Sequence, residues 1–308
     1  MSELRRCRSA VACAALLTLL SGCSKAPSPP AFADAHTGPA LTFLVPYGPI
    51  AAAQREHFFE VVALLLFVVG PVLLVAPYFA WRYRYGGSAR YTPHWSFSWP
   101  LEFFVWGGPI VIVIVLAVWL WQSTHALDPY APLQSKQPPM RVEVVGYDWK
   151  WLFIYPDLGI ASMGELAFPT GRPLAFDITS DTVMQSFFIP ALGGQIYAMP
   201  GAVTRLHLEA SRPGRFHGEN AQFNGDGYFQ QHFLGRALTP AAFTAWVQRV
   251  RSRGIPLSGS TYKVIAQRTT LADTRKALGV TTTGDGALYF TAVPSGLFNH
   301  LVQSFHTD

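Results

Sequence analysis

Along the chain, apolar positions come first in long unbroken runs and later in short alternating ones. The opening run, residues 11–20, follows Arg5, Arg6 and Arg8 and leads into Leu20-Ser21-Gly22-Cys23. It is too short to span a bilayer, and with a basic start and small residues before a cysteine it predicts a lipoprotein export signal over residues 1–22. Cys23 is then the acylated first residue of the mature chain, and residues 23–57 form an exported N-terminal segment. Two further runs, at about 58–81 and about 103–121, each approach the roughly 20 residues that cross a hydrocarbon core. They predict a two-helix transmembrane hairpin over 58–122. Pro71, Pro77 and Pro109 lie inside these runs, which membrane helices tolerate when neighbouring groups satisfy the freed carbonyls. After a proline-rich linker at 123–139 the rhythm changes. RVEVVGYDWKWLFIYP, PLAFDITS, VMQSFFIP and TRLHLEAS each suit a short strand, and PTGRP and SRPGR supply turns. Residues 140–236 therefore predict one compact all-β sandwich or barrel. The tail, 237–308, turns helical. Thr239-Pro240 joins an N-cap to a proline at N1 and opens a helix to about residue 251. A second helix is expected at about 271–278, and Leu297, Phe298, Leu301 and Phe305 recur at helical spacing, a docking pattern.

Composition strengthens the membrane reading. Half of the 308 residues are hydrophobic and 13% are charged, too apolar for a soluble chain of this length. The net charge of +5 does not mark a nucleic-acid binder, because Arg5, Arg6, Arg8, Arg82, Arg84 and Arg90 flank the apolar runs instead of forming one patch with aromatics. The connector between the spans carries Arg82, Arg84 and Arg90, so the positive-inside rule places it in the cytoplasm and both flanks outside. Trp81, Trp95, Trp99, Trp119 and Trp121 sit at the span ends as interfacial anchors. All three cysteines, Cys7, Cys13 and Cys23, lie in the first 23 residues, so nothing downstream offers a disulfide or a thiolate. Among the histidines of the β region, His207 alternates with Arg205 and Glu209 as a surface residue. The spacing of His207, His217 and His232 argues against a metal site built from them.

The stretches LSGC, STHALDP, VEVVGYDWKWLFIYPD, MQSFFIPALGGQIYAMPG and TRLHLEA resemble subunit II of haem-copper terminal oxidases, and specifically that of the cytochrome bo-type ubiquinol oxidases. The resemblance covers nearly the whole chain and weakens over residues 27–54 and in the last seventy residues. It implies a two-helix transmembrane hairpin followed by an all-β cupredoxin-like Greek-key sandwich or barrel with a partly helical C-terminal extension. In the cytochrome c branch, this domain holds a binuclear copper centre through a histidine before an S-F/W pair and a distal C-S-E-x-C-x-x-x-H-x-x-M loop. Here Gln185 stands at the first histidine. In FHGENAQFNGDGYFQQHF, residues 216–233, Asn220 and Asn224 replace the cysteines, Gln222 the glutamate, Tyr228 the second histidine and Gln231 the methionine. Copper of that kind needs soft thiolate sulfur and imidazole, which amides do not supply. His232 falls one position past the methionine place.

The resemblance thus implies a subunit of a ubiquinol:oxygen oxidoreductase of the bacterial inner membrane, coupling quinol oxidation and oxygen reduction to proton translocation. Haems, one copper and the quinol site would belong to subunit I. This chain, with no cofactor of its own, would pack its spans against subunit I and other small membrane subunits, and its β domain would cap the periplasmic face. Acids and bases nearly match from Ser123 onward, so no acidic field steers a cationic cytochrome c, which is not expected as a partner. Tyr147-Asp148-Trp149-Lys150-Trp151 is expected to be an aromatic packing surface. Glu102, in LEFFVWGGP, matches a family glutamate near the cytoplasmic mouth of a proton pathway and is a candidate entrance. Two other readings stand beside this one. A cytochrome c oxidase subunit II acting as an electron carrier is opposed by the missing cysteines. A free membrane-anchored cupredoxin-like assembly module is not excluded by fold alone, and co-purification with a haem-bearing subunit separates it.

Overall fold

The computed structural model describes residues 44–87, 94–280 and 286–305. The export signal, Cys7, Cys13, Cys23, Arg5, Arg6, Arg8 and Arg90 lie outside the described residues. Two long helices come first, α1 (Pro49–Arg82) and α2 (Trp99–Ala126). Each has a proline in its first turn, where the missing N–H has no intrahelical partner to lose. Both outrun the apolar stretches that predict them. With 34 residues, α1 is about 51 Å long at about 1.5 Å per residue, against a hydrocarbon core of about 30 Å. The excess lies at its start, where Ala51 is buried against the β domain. There the amide of Tyr47 donates to the Ala191 carbonyl at 2.9 Å, and the amide of Ser211 donates to the Tyr47 carbonyl at 2.8 Å. Beyond that point most large apolar side chains of both helices are exposed, and α2 buries none of its residues. The helices meet where His57 Nε2 lies 3.1 Å from Ser123 Oγ.

Ten strands build the exported domain: β1 (Met140–Tyr147), β2 (Lys150–Tyr155), β3 (Ile160–Met163), β4 (Glu165–Pro169), β5 (Leu174–Ser180), β6 (Gln185–Phe188), β7 (Gln195–Ala198), β8 (Thr204–Leu208), β9 (Gly214–Asn220) and β10 (His232–Leu238). The tail adds α3 (Pro240–Arg253), β11 (Ile255–Pro256), α4 (Gly259–Ile265), α5 (Leu271–Ala277), β12 (Leu288–Thr291) and α6 (Leu297–Ser304). One sheet runs β11-β12-β3-β2-β1-β5-β8 and the other β4-β10-β9-β6-β7. The chain crosses repeatedly between them, so β1 lies parallel to β5 and β4 parallel to β10. That is a Greek-key sandwich.

Strict alternation sorts the two faces of β1 and β2. Val142, Val144, Trp151, Phe153 and Tyr155 enter the core between the sheets. Val145, Tyr147, Leu152 and Ile154 point the other way, into a second core with Leu257, Ile265, Phe298 and Leu301 of the tail. Both faces are covered, which is why β2 is apolar without a break from Trp151 to Tyr155. The tail is more than a set of helices, since β12 pairs with β3 and extends the sheet. Strands of two and four residues show too few positions for periodicity to reveal them. The expected cap on α3 is present: Thr239 Oγ1 accepts from the Ala242 amide at 3.4 Å.

His207, expected as a surface residue, lies on the outward face of β8 and is half-buried. The linker lies over it, with the Pro129 carbonyl accepting from the His207 amide at 3.2 Å and lying 3.0 Å from Nδ1. Alternation gave the correct face of β8, but coverage by a segment remote in sequence lay outside what a strand pattern carries.

Candidate functional site

The site is the junction of β1, β6 and the loop after β9, where the resemblance places a metal in other family members. Gly146 makes room for it: a Cβ there would stand 2.5 Å from Gln185 Oε1. Gln185, fully buried at the start of β6, donates from Nε2 to the Tyr147 carbonyl at 3.1 Å, to Thr182 Oγ1 at 3.3 Å and to Ser180 Oγ at 3.4 Å. Its Oε1 accepts from Gln231 Nε2. The same nitrogen of Gln231 donates to the Tyr147 carbonyl at 3.2 Å. Gln231 Oε1 in turn accepts from Asn220 Nδ2 at 3.0 Å and Asn224 Nδ2 at 2.7 Å. Asn220 Oδ1 accepts from the amides of Ser186 at 2.8 Å and Gln222 at 3.0 Å.

The fold therefore gathers four of the six singled-out residues, Gln185, Asn220, Asn224 and Gln231, into one amide network. The side chains of Gln222 and Tyr228 do not join it; Tyr228 packs its ring 5.6 Å from Phe223. This donor set does not fit copper of the binuclear kind. It offers amide groups already committed to one another in place of thiolates and imidazoles.

Trp149 accounts for Gly227 in the loop. It occupies the two-residue turn between β1 and β2 with φ of 66°, a left-handed conformation uncommon for a bulky residue. Its indole lies against the loop backbone, and a Cβ on Gly227 would come within 2.1 Å of the ring. The Arg268 guanidinium also lies over its ring, 5.1 Å from the centroid. Trp151 faces the sandwich core, its ring 5.4 Å from Phe187. The Tyr147–Trp151 segment is thus an aromatic packing element, half of it under the tail.

Lys150 carries no functional assignment in the sequence reading, yet it is 2% exposed. Its Nζ donates to the carbonyls of Gln267 and Thr269, each at 2.7 Å. Burial pulls its pKa down to about 8, partly offset by Asp148 and Asp273. The visible signal was a lysine inside an otherwise apolar strand. Glu102 lies apart, in the first turn of α2, where its Oε2 accepts from Trp106 Nε1 at 3.0 Å.

Residues 160–229 match the family model described as cytochrome C oxidase subunit II, periplasmic domain, a span that includes five of the six singled-out positions, all but Gln231. A ubiquinol oxidase subunit 2 of Acetobacter aceti is 40% identical over 269 residues, 86% of this chain and 83% of the relative. The chain belongs to the ubiquinol oxidase subunit 2 family. A cytochrome bo(3) ubiquinol oxidase subunit 2 of Pseudomonas putida is 44% identical over 227 residues, 73% of this chain and 72% of the relative. A quinol oxidase subunit 2 of Bacillus subtilis is 32% identical over 255 residues, covering 80% and 74%. Membership in this subunit 2 family accords with both long helices, each apolar enough to span a bilayer, and with a cupredoxin-like sandwich after them.

Proposed function

We propose that this chain is the second subunit of a membrane-bound ubiquinol:oxygen oxidoreductase and that it carries no electrons itself. One observation carries this reading: four of the six positions that resemble copper ligands, Gln185, Asn220, Asn224 and Gln231, are amides closed on one another. A relay is unnecessary when the donor is lipid-soluble and delivers electrons within the membrane. Haems, a copper and the quinol site then belong to subunit I, as the resemblance implies, and no cytochrome c docks on this domain. The exposed apolar faces of α1 and α2 suit packing against subunit I, neighbouring small subunits and lipid. The sandwich caps the periplasmic side, and Cys23 adds a lipid anchor that intact mass of the mature chain reads directly.

The test is oxygen uptake by the purified complex, offered reduced ubiquinol or reduced cytochrome c. Fast uptake with ubiquinol alone is the expected result. Comparable uptake with cytochrome c would overturn the reading and call for metal analysis of the loop.

A further inference from the structure

The tail does not close completely on the sandwich. Between α4 and α6 lies a cleft of about 390 Å³, within the size range of small-molecule sites. Leu257, Leu297 and Leu301 give it apolar walls, and Asp181, Tyr262 and His300 supply its ionisable groups. Asp181 follows β5 directly, its amide donating to the Gly146 carbonyl at 2.9 Å. The Tyr262 hydroxyl donates to Asp181 Oδ2 at a long 3.5 Å, and Tyr147 donates to Tyr262 at 3.4 Å. Burial raises the Asp181 carboxyl to about 6, and the other groups acting on it are the Tyr262 hydroxyl and the Asp148 carboxylate. Neither is a cation, and Asp148 itself faces Arg268 at 3.6 Å. At neutral pH the cleft thus holds a half-buried carboxylate, bonded to the Tyr262 hydroxyl and without a cationic partner among the described residues.

We propose that this cleft binds a small free alkylammonium ion. Asp181 is its counter-ion, Tyr262 presents a hydroxyl to the ammonium group, and the three leucines surround the alkyl chain. The inference is independent of how the complex obtains its electrons. Binding needs Asp181 ionised, so it weakens as pH falls through about 6. His300 lines the same cleft and is the other ionisable side chain there whose charge would act on a bound cation. Tyr262, held up at about 12 by burial, stays neutral throughout.

The experiment is calorimetric titration of the intact detergent-solubilised complex with n-butylammonium chloride, using sodium chloride and neutral 1-butanol as controls. Saturable binding at pH 7.5 is expected for the ammonium alone. It should weaken at least tenfold at pH 5 and in Asp181→Asn, and His300→Gln should retain the fall with pH. A second variant blocks the space without touching the carboxylate. Gly259 lines the cleft and a Cβ there meets nothing within 4 Å, so Gly259→Phe should fold normally and abolish binding. Equal binding of 1-butanol, no saturable binding, or undiminished binding in either cleft variant would overturn the proposal.

Discussion

Gln231 uses both of its amide hydrogens and accepts two bonds at its oxygen, so no apolar side chain can replace it without stranding buried partners. Gln231→Leu leaves Gln185 Oε1, Asn220 Nδ2 and Asn224 Nδ2 without that partner, at roughly 1–3 kcal/mol for each buried group left unsatisfied. A loss of about 3 kcal/mol or more is expected, lowering the exported domain's Tm by on the order of 6–12 °C. Gln222→Leu is the contrast. Its side chain stands outside the network, so thermal unfolding should change by less than about 0.5 kcal/mol. Equal losses from both would mean the network does not hold the loop. The replaced ligand positions could be located from the sequence through loop length and residue order. Their mutual bonding could not, because an amide side chain carries no mark of its partner until β1, β6 and β10 converge.

At the scale of elements, the tail and the sandwich complete each other. Val145, Leu152, Ile154 and Met163 lie in a core that α4, α6 and β12 close, and Lys150 is anchored to the carbonyls of Gln267 and Thr269. A chain ending after Leu238 exposes that apolar face and strips the lysine of those acceptors. It should accumulate in membranes at severalfold lower amounts than the full chain, as read by immunoblot of the assembled complex. Undiminished assembly would show that the second core contributes little. The long helices, the strands rich in aromatics and α3 with its Thr239-Pro240 start were open to prediction, because each repeats or caps a local pattern. β3, β4, β7, β9, β10 and the two tail strands were not among those predictions. They are short or glycine-bearing, and pairing decides them more than propensity does.

For the whole molecule, Glu102 matters because it lies at the end of α2 that the arginine distribution places toward the cytoplasm. Its bond with Trp106 at 3.0 Å is also what a purely structural carboxylate would make, so the test must separate the two roles. Glu102→Gln retains an acceptor for the indole and removes the titrating group. A proton-entrance role predicts quinol oxidation slowed severalfold in the assembled complex, with a changed pH profile, while Trp106→Phe leaves turnover near normal. Unchanged turnover of Glu102→Gln across pH would count against the role.

Local rules operate on neighbouring residues, and they were enough for the two long apolar helices, the β character of the domain after them and the missing thiolates. Each of those follows from runs, periods or residue types that the chain displays without folding. Tertiary structure decided the rest: that the tail completes a sheet and seals a second core, that Trp149 explains Gly227, that the linker bonds to His207, and that Asp181 faces a cleft. These depend on contacts between residues far apart in sequence, where burial and missing partners arise only once separate segments meet.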